Sequence, residues 1–308
     1  MPGLVRLLVL TMLLPVWLPV EAAPMKVVVG ILPLADFVAR LGASRLQVET
    51  LVPPGRPPEL FEPSPQQLAR LAQARLYVRV GLLFEDRVLA DAATRYPNLT
   101  IHDLRQGLAL LPMDAHDHDH AGHPVGASDP HVWLDPIRMK TAAEKLSAAL
   151  VRLDPEGERD YRAGLAQLQK ELDAIDAEIR ERLSGLSNRR FYVFHPAFGY
   201  FADRYGLVQR AVETGGKEPG ARQLAALIAQ ARADQATTLF VQPQFSPRSL
   251  TAIAKALDAS VVILDDLPED LLANYRDLAD KLAAALASPP LTREAGGDAG
   301  ERGNDARP

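Results

Sequence analysis

The stretch DPEGERDYRAGLAQLQKELDAIDAEIRERL, Asp154 to Leu183, is the longest helical pattern in the chain. Tyr161, Leu165, Leu168, Leu172, Ile175, Ile179 and Leu183 recur every three or four residues, while Glu156, Glu158, Lys170, Glu171, Asp176 and Arg180 fill the other faces. That spacing is the signature of an amphipathic helix. Gly157 and Gly164 weigh against it, at about 1 kcal/mol each relative to Ala in a helix interior, and Gly185 is its stop. At ~1.5 Å per residue, about thirty residues make a rod of roughly 45 Å. Such a rod is too long to pack within one small lobe, so we read 154–184 as a helix linking two lobes. The plainer alternative is a surface helix within a single domain.

On both sides of this helix strands and helices alternate. The β-branched run Lys26–Leu32, the period-two segment Leu46–Val52, Leu76–Val80 and Leu99–His102 read as strands of a lobe over 25–153. A helix is expected between Glu85 and Arg95. Ser64-Pro65-Gln66-Gln67 opens another with a capping box and a proline in its first turn. Asp135-Pro136 caps a helix reaching about Leu153. After the long helix, Phe191–Phe194, Val208–Val212, Thr238–Val241 and Val261–Leu264 are strands of a lobe over 185–288, with helices ending near Ala233, Leu257 and Ala287. Such alternation gives mostly parallel sheets covered by helices, so the expected class is α/β with two lobes joined by the long helix. The 308 residues also exceed one ordinary core. The segment 289–308 is mostly Pro, Gly and charge, and its composition is that of a disordered tail.

Composition excludes several classes of function. The hydrophobic fraction of 47% is that of a globular protein, and the net charge of -5 provides no basic stripe for nucleic acid. Without cysteine there are no disulfides, thiolate metal sites, cysteine nucleophiles or lipid-modified cysteine. The N-terminus reads as a signal peptide over 1–22. Arg6 supplies the charge, Leu7–Val20 the apolar region, and cleavage is expected after Ala22 or Ala23. The apolar run of about 14 residues, with Pro15 and Pro19 inside it, falls short of the ~20 that a spanning helix needs. Export to the periplasm of a Gram-negative bacterium is the expectation.

Five of the seven histidines fall between His116 and His131. The run Asp114-Ala115-His116-Asp117-His118-Asp119-His120-Ala121-Gly122-His123 is too polar for a core, and its composition is metal-binding. His116, His118, His120 and His123 lie in a loop over 114–126 with Gly122, Pro124 and Gly126, so they can hold metal only loosely. His131 sits among Pro130, Trp133, Leu134 and Pro136, stiff or bulky neighbours that can fix its direction. His195 and Asp265 each follow an apolar strand, where open α/β sheets bind ligands. Taken alone, a strand-end His is more often a hydrogen-bonded residue, and a strand-end Asp more often a helix cap. Together with the histidine loop they point to zinc or a harder divalent ion.

At these residues the chain resembles the metal-binding proteins of bacterial ABC importers for zinc and manganese, the ZnuA/TroA type. The resemblance spans about Met25 to Ala287. Asp129-Pro130-His131-Val132-Trp133-Leu134-Asp135-Pro136 resembles the segment with that family's second ligand, here His131. Phe194-His195-Pro196-Ala197-Phe198-Gly199-Tyr200-Phe201 resembles the third, at His195. Val262-Ile263-Leu264-Asp265 resembles the segment of the fourth, at Asp265, and Glu218-Pro219 and Gln242-Pro243-Gln244-Phe245-Ser246-Pro247 are further landmarks. The histidine loop resembles that of zinc members. The resemblance implies two α/β lobes joined by one long helix, with metal in the cleft between them.

One position departs from the pattern. Pro57-Pro58-Glu59-Leu60-Phe61-Glu62-Pro63 places Glu59 where the family has its first histidine. Glutamate binds zinc through oxygen, so Glu59, His131, His195 and Asp265 can form a four-ligand shell. Two carboxylates make that shell harder than one of three histidines, which leaves manganese or iron open beside zinc. The alternatives are that a loop histidine closes the shell, or that tight binding is lost. Glu62 matches a loop-and-cap position. The implied function is capture of a divalent metal, zinc first, by a monomeric solute-binding protein that delivers it to a membrane permease of an ABC importer. A periplasmic metal buffer working through the histidine loop is a second reading. An enzyme is not expected, because no His-Glu-x-x-His, Gly-x-Ser-x-Gly or Gly-rich phosphate loop occurs.

Overall fold

The computed structural model describes residues 23–113, 128–213 and 219–287. The signal segment 1–22, the four histidines of the loop 114–126, Glu218 and the tail 289–308 lie outside the described residues. In chain order the elements are β1 (Met25–Val29), α1 (Leu32–Gly42), β2 (Leu46–Thr50), α2 (Pro65–Leu71), β3 (Leu76–Arg79), α3 (Leu83–Leu89), α4 (Ala92–Arg95) and β4 (Thr100–Asp103). Then come α5 (Pro136–Leu153) and α6 (Glu158–Leu183). The second half holds β5 (Arg190–Val193), α7 (Gly199–Tyr205), β6 (Val208–Ala211), α8 (Ala221–Ala233), β7 (Thr238–Val241), α9 (Thr251–Leu257), β8 (Ser260–Ile263) and α10 (Leu271–Ala287).

Each half forms a four-stranded parallel sheet, ordered β2-β1-β3-β4 in the first and β6-β5-β7-β8 in the second. In both, the winding direction reverses between the first and third strands. The protein therefore consists of two parallel-sheet α/β lobes linked by a long helix. Among the described residues no helix is long and apolar enough to cross a membrane.

Local chemistry explains the main boundaries. Ser64 and Gln67 form the capping box of α2. Asp135 opens α5 by accepting the amides of Ile137 and Arg138. The helix expected over Glu85–Arg95 is instead α3 and α4, because Asp91 leaves helical geometry with φ -112 and ψ 25. The linking helix begins at Glu158, after a 3-10 turn at Pro155–Gly157, so Gly157 caps it and lies outside its interior. Its 26 residues span about 39 Å. Gly164 does sit inside, and a Cβ there would lie 2.4 Å from the Leu41 carbonyl oxygen at the end of α1. The propensity cost of this glycine is what lets α6 pack directly on α1.

The cores of the two lobes are not separate. One cluster runs from β1 and β3 through α1, α5 and α6 to Phe191, Val193, Phe201, Phe240, Leu264 and Tyr275. A smaller cluster of Tyr192, Phe194, Val212, Leu239, Val241 and Ile253 covers the other face of the second sheet. Alternate residues of β5 and β7 thus serve different cores, as the period-two geometry of a strand requires.

At the reversal point of the first sheet lies Glu85, fully buried. Its carboxylate accepts the Tyr77 hydroxyl at 2.9 Å and the amides of Val80, Gly81 and Leu82 at 3.1, 2.7 and 2.9 Å. Burial pushes its pKa up to about 7, against Arg79, Tyr77 and these amides, which favour the ionised form. Gly30, just after β1, makes room for it, since a Cβ there would lie 2.5 Å from Glu85 Oε1.

Candidate metal centre

The reversal point of the second sheet holds His195, which follows β5. Its backbone is clamped by the Gln242 carboxamide at the end of β7: the His195 amide donates to Oε1 at 3.2 Å, and Nε2 donates to the His195 carbonyl at 2.6 Å. Gln242 is wholly buried, and this clamp is the physical account of its place in the chain. The His195 ring is fixed by a 2.5 Å contact from Nδ1 to Glu213 Oε1. Glu213 is itself buried, just beyond β6. Burial pulls the His195 pKa down. The hydrogen bond to Glu213 and the charges of Glu59, Glu213 and Asp266 outweigh it and hold the ring at about 9.

His131 enters from the other lobe, capping the 3-10 turn Val132–Leu134. Asp129 Oδ1 accepts both the His131 amide at 2.8 Å and Nδ1 at 2.7 Å. Tyr200, on α7, donates to the Asp129 carbonyl at 2.8 Å and accepts the Leu111 amide at 3.1 Å. Gly199 permits this approach, because a Cβ there would lie 2.8 Å from Asp129 Oδ2. Trp133 Nε1 donates across the cleft to the Asp266 carbonyl at 2.6 Å, and the Tyr275 hydroxyl to the Trp133 carbonyl at 2.6 Å.

With both Nδ1 atoms engaged by carboxylates, both Nε2 atoms face the cleft, 3.4 Å apart. Two lone pairs aimed at one another need a proton or a cation between them. Two nitrogens at ~2.0–2.1 Å from a tetrahedral zinc lie about 3.4 Å apart, so the pair is spaced as an edge of such a shell. Glu59 completes a third vertex, with Oε1 at 3.6 Å from His195 Nε2. The ligand atoms of Glu59, His131 and His195 all lie within 4.8 Å of one another. Glu59 sits on the 3-10 turn Pro58–Leu60, anchored by Phe61 packed edge-on against Phe84 at 5.2 Å. Its side chain is 30% exposed, against 5% for His195. All three line a cavity of about 430 Å³ between the lobes.

Of the four expected ligands the structure brings three together and leaves one out. Asp265 is turned away: its Oδ1 accepts the Leu267 amide at 2.9 Å, and its nearest charges are Lys281 and Asp277. It caps the turn after β8, the ordinary use of a strand-end aspartate. Its neighbour Asp266 faces the centre instead, 2% exposed, with Oδ1 accepting Gln244 Nε2 at 2.7 Å. Burial raises its pKa to about 6, partly offset by His195 and Gln244. Sequence reasoning also missed Asp129 and Glu213. Asp129 stands two residues before His131, a position from which a carboxylate can reach the ring, whereas nothing near Glu213 in sequence marks it.

Known proteins resemble this chain in sequence and in fold. A family model described as the zinc-uptake complex component A, periplasmic (ZnuA), matches residues 27–288. A high-affinity zinc uptake system protein of Yersinia pestis is 29% identical over 271 residues, covering 81% of this chain and 85% of its own. A putative metal-binding protein of Treponema pallidum is 27% identical over 248 residues, covering 77% and 78%. A crystal structure of ZnuA superposes with TM-score 0.80 at 38% identity, over 85% of this chain and 99% of that one. A zinc-bound deletion mutant of ZnuA gives TM-score 0.80 at 36% identity, over 87% and 100%.

Proposed function

The chain belongs to the zinc-uptake component A family, and from that premise we propose that it captures zinc in the periplasm and hands it to the membrane permease of an ABC importer. The observation that carries this reading is the pair of imidazole Nε2 atoms 3.4 Å apart in the cleft, each ring held from behind by a carboxylate. Carboxylates behind metal-binding histidines fix the tautomer and increase ring basicity. Zinc is the bound cargo. Glu59, His131 and His195 hold it, and Asp266 lies behind them as a further carboxylate in place of Asp265.

One ligand set spans both lobes, with Glu59 and His131 from the first and His195 from the second. Binding displaces a proton from His195, because only the neutral ring can coordinate. Two carboxylates near the ion offset its charge and lower the cost of burying it. The same oxygen content favours harder ions such as manganese, so metal choice is part of the test.

The test is calorimetric titration of the metal-free protein with zinc and with manganese, beside Glu59→Ala. Tight one-to-one zinc binding, weakened about tenfold by that substitution, is the expected result, a loss of about 1.4 kcal/mol. Tight manganese with weak zinc would overturn the metal and keep the transport function. Several weak zinc equivalents, unchanged by Glu59→Ala, would point instead to a metal buffer.

A further inference from the structure

His131 and His195 come from different lobes, so their 3.4 Å spacing depends on how the lobes are fixed beside the cleft. A short path between them runs through Tyr200, wholly buried on α7, five residues after His195. Its hydroxyl meets two backbone groups of the first lobe. It accepts the Leu111 amide at 3.1 Å and donates to the Asp129 carbonyl at 2.8 Å, while the Asp129 amide donates to the Leu111 carbonyl at 3.0 Å. One hydroxyl oxygen can serve both groups because it donates and accepts. The ring is fixed as well, since the Arg138 guanidinium lies over its face at 4.8 Å and is itself held by Ala109 and Asp135. Beyond Asp129 the first-lobe chain is stiff. Pro130 has its φ locked, and the Val132 amide bonds the Pro130 carbonyl at 2.8 Å. Holding the Asp129 carbonyl therefore holds the backbone of His131, and Asp129 Oδ1 fixes the ring through Nδ1. On the other side of His131, the Trp133 indole donates to the Asp266 carbonyl. His131 thus stands between two hydrogen bonds that cross the lobe boundary, one at the residue two before it and one at the residue two after.

We propose that Tyr200 is a positioning residue for metal capture: its hydroxyl sets His131 Nε2 against His195 Nε2 across the lobe boundary before the metal arrives. This rests on the zinc-capture reading above and extends it to how the site is held ready. Tyr200 does not touch the metal and acts only through Asp129. Two imidazoles already spaced for an ion lose less freedom on binding it than two rings on loosely docked lobes, so the gain is one of preorganisation. Gly199 serves the same contact, because a Cβ there would lie 2.8 Å from Asp129 Oδ2 and push the first lobe away from α7. Tyr77 supplies the contrast. It too is wholly buried, but its hydroxyl is bonded to Glu85 within one lobe, away from the ligands. A core tyrosine of that kind contributes to stability alone.

The experiment compares Tyr200→Phe with Tyr77→Phe in the mature protein. Each removes one buried hydroxyl and keeps the ring, so both should lower the urea midpoint while circular dichroism still reports the folded chain. Zinc affinity is read by competition with a chromophoric chelator. The shell is read from the visible spectrum of bound cobalt(II), whose bands respond to coordination geometry. Tyr200→Phe should weaken zinc about tenfold, as expected of a residue that supports a ligand, and should change the cobalt bands. Tyr77→Phe should leave both as in the parent. With Asp129→Asn already in place, Tyr200→Phe should weaken zinc by less than about threefold, because residues acting along one path are not additive. A lower urea midpoint in Tyr200→Phe with zinc affinity and cobalt bands unchanged would overturn the proposal, and so would an undiminished loss beside Asp129→Asn. The parent separates the two readings. Its failure to bind zinc one-to-one counts against the metal centre itself, while a parent and a Tyr200→Phe that bind equally well count against the positioning role alone.

Discussion

The two sheets have the same strand order, yet their reversal points are put to different uses. In the first sheet Glu85 is buried there with both carboxylate oxygens engaged, by Tyr77 and by three backbone amides. In the second, His195 is buried with its backbone and Nδ1 engaged, but with Nε2 left facing a cavity. The first residue holds a loop in place, and that loop carries Leu82 and Leu83 into the cavity wall. The second binds. The difference is a single atom whose near neighbours, His131 Nε2 at 3.4 Å and Glu59 Oε1 at 3.6 Å, are themselves candidate ligands. A buried polar group becomes a site when the fold satisfies all of it except the part aimed at the ligand.

Removing His195 breaks the comparison most sharply. His195→Ala should abolish tight zinc binding, a loss beyond the ~10–100-fold expected for a supporting residue, while circular dichroism still reports the folded chain. The counterpart, Glu85→Ala, should act on stability. It strands three amides and a phenol, at a cost of about 3 kcal/mol or more, read as a lower urea midpoint, with zinc affinity of the folded fraction within a few-fold of the parent.

Smaller changes sharpen the same contrast. Glu213→Gln keeps the shape behind His195 but removes the charge, and should weaken zinc about 10–100-fold in competition with a chromophoric chelator. It should also alter the pH response. In the metal-free protein the His195 pKa is raised from 6.5 to about 9, so the stability it lends is full below 6.5 and is lost as pH climbs through 9. Zinc needs the neutral ring, so its affinity rises over that window. The zinc-induced gain in melting temperature should therefore grow between those limits, and grow less in Glu213→Gln. The smallest effect belongs to Asp265→Ala. Losing the cap on the Leu267 amide should cost about 1 kcal/mol of stability and leave zinc affinity within twofold, whereas Asp266→Asn should weaken it measurably by calorimetry.

What the sequence revealed was what periodicity and local chemistry encode. The α/β alternation, the Ser64 and Asp135 caps and the linking helix were legible because each depends on residues near in sequence. The meeting of His131 and His195 in the cleft was legible because stiff neighbours and a strand end single them out. The inward turn of Asp266 was not, since Asp265 and Asp266 differ by one step around a turn, and the hydrogen bonds from the Leu267 amide to Asp265 and from Gln244 to Asp266 decide which carboxylate turns outward. Glu213 was hidden for a related reason. Its partner lies 18 residues away, across the β5–β6 pairing. Gly164 was misweighed because its benefit, the approach to Leu41, belongs to another helix.

The hydrophobic cluster that passes beneath both sheets has a consequence for how the molecule comes apart. Because Phe191, Phe240 and Tyr275 share it with β1 and α6, heating cannot melt one lobe and spare the other. Calorimetry should show a single cooperative endotherm. The layer of α8 and α9 rests on the smaller cluster alone, so its amides should exchange with deuterium first, through openings that leave the rest of the protein folded.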